Sequence, residues 1–161
     1  MTIPHNFSSA LRCAISGATA AWFALLSPSA FAAPKCDFNS VTGVNFGEYD
    51  VLAAAPNNNG VGTLSIHCQG GGGPTFVVTL SAGQSHSFSP RQMRSGGNRL
   101  DYNLFTSAAR VDVWGDGSAR SHTMSVPRNT DTMLSVYGQI PAGQDANVGI
   151  YTDSIVATVN F

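Results

Sequence analysis

Short stretches in which apolar and polar residues alternate one for one recur along this chain, and no stretch shows the spacing of an amphipathic helix. The most sustained run is residues 149–161, GIYTDSIVATVNF. Tyr151, Ile155, Ala157, Val159 and Phe161 fall on one side and Thr152, Ser154, Thr158 and Asn160 on the other, the pattern of a half-buried strand. Asp153 and Val156 break it. The run ends at Phe161 while still in strand pattern, so cover for its far edge is expected from earlier in the chain or from another protein.

Earlier segments read as further strands. Residues 36–46 alternate loosely around Phe38, Val44 and Phe46, which suits a bent first strand, and residues 51–62, with Pro56 and Asn57 to Gly60, read as a loop. Residues 63–68 alternate cleanly, with Leu64, Ile66 and Cys68 inward and Ser65 and His67 outward. Glycines 70–73 and Pro74 precede a β-branched run at 75–81; this glycine run lacks the Gly-Lys-Ser/Thr and the helix of a phosphate loop. The polar stretch 83–98 reads as an excursion between strands. Strands are then expected at 100–105, 111–114, 123–126 and 133–139, with a tight turn at Gly115-Asp116-Gly117 and a bend at 141–144. Seven or eight short strands separated by turn signals predict an all-β sandwich, immunoglobulin-like in architecture but not in cysteine and tryptophan spacing.

Residues 1–32 read differently. Arg12, the apolar run 14–26 and the small-x-small triplet Ala30-Phe31-Ala32 form a secretory signal peptide, with cleavage expected before Ala33. The run is too short for a membrane span, and residues 33–161 are left as one domain. This part keeps seven of the eight basic residues and all nine acidic ones, so nothing in it offers the basic stripe that nucleic acid needs.

Cleavage also removes Cys13. Cys36 and Cys68 are then the only cysteines of an exported protein, and a disulfide between them is the first expectation, ahead of two free thiols or half of a metal site. Neither CxxC nor HxxxH occurs to support a metal. His67, His86 and His122 lie on separate segments, Asp112 and Asp116 flank Trp114 in what reads as a hairpin turn, and Ser85-His86-Ser87 lacks a nucleophile elbow. No catalytic residue, metal or cofactor is expected, and the chain does not read as an enzyme.

Taken together, the chain resembles the spore coat protein U domain family, which also supplies subunits of archaic (Csu-type) chaperone-usher pili. Cys36, Phe46-Gly47-Glu48-Tyr49, Cys68, Arg91-Gln92-Met93, residues 100–105, residues 113–117, residues 137–144 and Gly149 to Asp153 carry the resemblance, in order, over essentially all of residues 33–161. It implies an incomplete immunoglobulin-like β-sandwich completed by a donor strand from a partner: first a periplasmic pilus chaperone, then, at an outer-membrane usher, another pilus or coat subunit. Tyr151, Ile155, Ala157, Val159 and Phe161 would line the groove. The protein would pass through the periplasm to a surface pilus or coat.

Polymerising subunits of that family carry a donor extension before the first cysteine. Here only Ala33-Pro34-Lys35 stand there, about 10 Å of extended chain. The expectation is a subunit that accepts a strand without giving one, at a fibre tip. The alternative reading is a self-contained coat protein acting as a surface- or glycan-binding module, with Trp114, Arg91 and Arg94 as its candidate binding surface.

Overall fold

The computed structural model describes residues 32–71 and 73–161; apart from Ala32, the expected signal peptide lies outside the described residues. Among the described residues eight strands form: β1 (Lys35–Asn45), β2 (Val61–Gln69), β3 (Thr75–Leu80), β4 (Arg91–Ser95), β5 (Asn98–Phe105), β6 (Met124–Pro127), β7 (Thr130–Gln139) and β8 (Ala157–Asn160). Every pairing between them is antiparallel.

The strands make two sheets, of order β1-β2-β7-β5-β4 and β6-β3-β8. Seven-stranded immunoglobulin domains place strands A, B, E and D in one sheet and C, F and G in the other. On that scheme β1, β2, β7 and β5 are A, B, E and D, while β3 and β8 are C and F. Among the described residues no strand occupies the G position beside β8. The fold is therefore an all-β, immunoglobulin-like sandwich with one strand position unfilled.

Alternation explains the core. Leu64, Ile66 and Cys68 on β2, Phe76, Val78 and Leu80 on β3, and Leu100, Tyr102 and Leu104 on β5 are all buried, each at every second position of its strand. Cys36 and Cys68 are opposite one another in the β1–β2 register and form a disulfide. That bond ties the edge strand β1 to β2, its only neighbour in the sheet among the described residues. Closing 32 residues of separation restricts the unfolded chain by about 3–4 kcal/mol on loop-entropy grounds.

Three expectations are corrected. The excursion at 83–98 contains β4, which forms a hairpin with β5 in the register Arg91↔Tyr102 and Met93↔Leu100. A buried arginine on its inner face concealed this strand from any apolar pattern. Residues 111–114 form no strand; Val113 and Trp114 make only isolated bridges, to Phe105 and His122. The terminal run is laddered only over Ala157–Asn160.

The alternation of that last run nevertheless survives: Tyr151, Asp153, Ile155, Ala157 and Val159 are half-buried, and Thr152, Ser154, Val156, Thr158 and Asn160 are exposed. Asp153 and Val156, which break the chemical pattern, obey the geometric one. β1 is bent as expected, with register shifts between Phe38 and Ser40 and between Thr42 and Asn45.

Candidate functional site

Because β1 and β8 are each at an edge, the sandwich is open between them. The opening is a trough of about 640 Å³. One wall is β1, through Phe38, Val41 and Val44, and the other is the terminal segment, through Tyr151, Asp153, Ile155 and Ala157. Its floor is the inner surface of the sandwich: Leu64, Leu80, Met93, Tyr102, Leu104 and Val136.

The walls are apolar but poorly covered. Phe38 is 40% exposed and Val41 62%, although both belong to a strand. β1 and β8 are edge strands, each with one side that has no strand partner among the described residues, and an open edge beside apolar side chains is the combination that accepts another strand. Phe46 closes the trough near one end. Its ring lies against Gly60 and Gly138, where a Cβ would collide with it, so the glycine of Tyr137-Gly138-Gln139 leaves room for an aromatic plug.

Of the five residues expected in the groove, Tyr151, Ile155 and Ala157 line it. Val159 lies beyond it, half-buried and opposite Val78 on β3. Phe161 is 73% exposed, with its ring edge-on to Phe76. The β1 wall and the floor were missed. The signal for the former was the loose alternation of residues 36–46, which the bulges blur.

Asp153 holds the terminal wall in place. Its Oδ1 accepts the backbone N–H groups of Gln84 (2.9 Å) and Ser154 (2.7 Å), and its Oδ2 accepts the Tyr102 hydroxyl (2.7 Å). The carboxylate fills the space a side chain would need at Gly83, whose φ is +70°. Burial, reinforced by Asp153, pushes the Tyr102 phenol far above its ordinary pKa, so Tyr102 remains a donor. The segment changes sheets here: Thr152 exchanges backbone hydrogen bonds with Arg94 of β4, while Ala157–Asn160 pair with β3.

Two of the three residues expected on an exposed binding surface are interior. Arg91 and Trp114 are both 0% exposed. Trp114 spans the sandwich, its backbone N–H donating to Leu104 (2.8 Å) and its indole N–H to Val78 (3.1 Å). Arg91 Nε and Nη2 donate to the Ser81 carbonyl at 3.1 and 2.9 Å, Nη2 also to the Trp114 carbonyl at 2.7 Å, and Nη1 to Asn103 Oδ1 at 2.8 Å. Its guanidinium also lies over the Phe88 ring at 4.9 Å. Burial lowers the Arg91 pKa, but an arginine keeps its proton, and four carbonyl contacts replace the missing carboxylate. Arg94, the third residue, is half-buried on the outer side of β4.

The other groups considered for chemistry do not converge. His67 pairs with Asp131 at 2.8 Å, His122 faces Asp112 at 3.5 Å, and His86 ends the Gly83–Ser85 turn. Asp116 accepts the Ser118 backbone N–H (2.8 Å) and hydroxyl (2.6 Å), which hold its pKa below the usual carboxylate value.

Comparison with known proteins bears on this geometry. Residues 19–158 match the family described as Spore Coat Protein U domain. Protein U of Myxococcus xanthus is 31% identical over 141 residues, spanning 78% of this chain and 77% of that protein. Among solved structures, the CsuC-CsuE chaperone-tip adhesion subunit pre-assembly complex from archaic chaperone-usher Csu pili of Acinetobacter baumannii aligns with a TM-score of 0.49 and 22% identity. That alignment covers 80% of this chain and 40% of the matched one.

Proposed function

The chain belongs to the spore coat protein U domain family, and from that premise we propose that it is an exported, non-enzymatic subunit of a surface pilus or coat whose open groove is filled by a strand lent by a partner. The observation that carries this reading is the apolar trough between β1 and the terminal segment, bordered on both sides by unpaired strand edges. An inserted strand would satisfy both edges and drive alternate side chains onto Leu64, Leu104 and Val136.

In this reading the first donor is a periplasmic pilus chaperone and the second a neighbouring pilus or coat subunit, exchanged at an outer-membrane usher. Co-expression with a strand-donating chaperone should yield a soluble one-to-one complex, and the domain expressed alone should be less stable than that complex. Ile155→Asp, placing a charge on the groove wall, abolishes the complex. A monomeric, high-melting domain that ignores strand donors would refute the proposal.

The finer position is that of an acceptor at a fibre tip. With cleavage before Ala33, only Ala33, Pro34 and Lys35 stand ahead of the disulfide, and Lys35 is already engaged in the ladder, paired with Gln69. Mixing the chaperone-bound protein with donor-bearing subunits should place one copy at one end. Homopolymers grown from this protein alone would overturn the tip assignment while leaving the groove intact.

A further inference from the structure

The terminal segment has a second side. While Tyr151, Asp153 and Ile155 face the groove, Val156 is exposed and borders a separate open cleft of about 560 Å³, and Ser154 stands at the rim of both. Ser81, Ala82, Gly83, Gln84, His86 and Arg94 complete its lining. Every ionisable group in that lining is basic. Asp153, the nearest acid along the chain, instead lines the groove, with its oxygens committed to Gln84, Ser154 and Tyr102.

Arg94 is incompletely partnered. Among the described residues the contacts between basic side chains and carboxylates are Lys35–Asp37, His67–Asp131 and His122–Asp112, and none involves it. Its Nε is buried with no hydrogen-bond partner, and Nη2 reaches only the Gln84 carbonyl, at 3.5 Å. Directly opposite in the β4–β5 register stands Arg99, exposed and likewise without an ion pair among the described residues. Like charges facing one another across an antiparallel pair are destabilising unless something neutralises them.

We infer that this cleft binds the oxyanion of an acidic sugar, with Arg94 as its principal contact. The Ser81 hydroxyl accepts the Val156 N–H at 2.9 Å and retains its own proton to donate, and Ser154 adds a second hydroxyl. The Gln84 amide and the His86 ring provide further polar contacts, and Val156, 62% exposed, gives an apolar wall for a sugar ring. This mixture in a wide cleft suits a saccharide better than an extended acidic peptide, which would need a longer track of charge. The cleft and the groove share Ser154 alone among their lining residues, so a strand in the groove leaves Ser81, Gln84, His86, Arg94 and Val156 free to bind.

The test is calorimetric titration of the exported protein, kept with its strand donor, against four oligomers of equal length: a uronate oligosaccharide, a sulfated one, a neutral one and oligoglutamate. At least one acidic saccharide should bind about tenfold tighter than the neutral one, and the tighter of the two identifies carboxylate or sulfate as the natural group. Arg94→Gln should weaken binding about tenfold. Arg94→Lys should recover part of the loss. Ser154→Ala, which leaves the arginine untouched, should weaken it a few-fold, about two to five, and Arg128→Gln, a distant substitution, should change nothing. Thermal unfolding of each variant separates lost binding from lost fold. Equal affinity for neutral and acidic saccharides, undiminished affinity in Arg94→Gln, no binding of either acidic saccharide, or oligoglutamate binding as tightly as they do would each overturn the inference.

Discussion

The interior around Arg91 and Trp114 and the trough between β1 and the terminal segment are built from opposite materials, each against the usual expectation. The first is made largely of polar contacts and is closed: a guanidinium and an indole, both 0% exposed, tie β3, β4 and β5 together through backbone carbonyls. The second is made of Phe38, Val41, Ile155 and Ala157 and is open. Closure in this protein follows from whether the chain supplies the neighbouring strand, not from how apolar the side chains are. Where strand neighbours exist, a charge can be buried because each nitrogen of the guanidinium finds a carbonyl oxygen. Where one is missing, apolar side chains stay uncovered.

Substitutions should therefore act oppositely in the two regions. The largest effect on the isolated fold is expected from Arg91→Leu, which leaves the Ser81 and Trp114 carbonyls without donors and takes from the Asn103 amide oxygen one of its two, the Leu104 N–H remaining. Urea unfolding should show a loss of at least about 3 kcal/mol. A loss below about 1 kcal/mol would mean the polar interior does not hold the sheets together.

Next, replacing both Cys36 and Cys68 by serine should cost about 3 kcal/mol and, in a donor-binding assay, weaken strand capture by loosening the β1 wall. Unchanged stability would show that β1 is held by its ladder with β2 alone.

Tyr102→Phe, at the seam between the two regions, should cost about 1–2 kcal/mol by removing a donor from Asp153. The phenol pKa is raised in the folded state, so its contribution is complete below the unfolded value of about 10 and is lost as pH rises beyond it. Wild-type stability should then fall with a slope of about 1.4 kcal/mol per pH unit above pH ~10, and Tyr102→Phe should lack that component. Parallel curves for the two proteins would contradict the seam.

The smallest effect on the isolated fold should come from Val41→Asp on the open wall, 62% exposed, within about 0.5 kcal/mol by urea unfolding, even though the same change should weaken donor capture.

How much of this was legible follows from the same contrast. β2, β3, β5 and β7 were readable because each shows its buried side at every second residue. β4 was hidden because its inner side carries Arg91 and Met93, and a charged residue reads as surface until the carbonyls around it are known. Trp114 beside Gly115-Asp116-Gly117 read as an exposed turn for a related reason: the hydrogen bonds that bury it come from β3 and β5, distant in sequence. On the open side, Tyr151, Ile155 and Ala157 were readable from alternation alone, but Val159 and Phe161 were assigned by extending that pattern past the point where the chain turns to pair with β3. The opposite wall could not be paired with them, since Phe38 and Ile155 are brought together only by topology.

The central claim, that β1 and the terminal segment are two edges awaiting one strand, is tested most directly by amide hydrogen exchange of the exported domain alone and in complex with a strand donor. In the lone domain, the amides of Lys35–Asn45 not bonded to β2 and those of Ala157–Asn160 not bonded to β3 should exchange quickly, while the Ile66 and Leu104 amides are protected. Donor binding should slow both edges together by at least about tenfold, as expected when solvent-exposed amides join a ladder. Edges already protected in the lone monomer, or protection of one edge without the other, would contradict a shared groove.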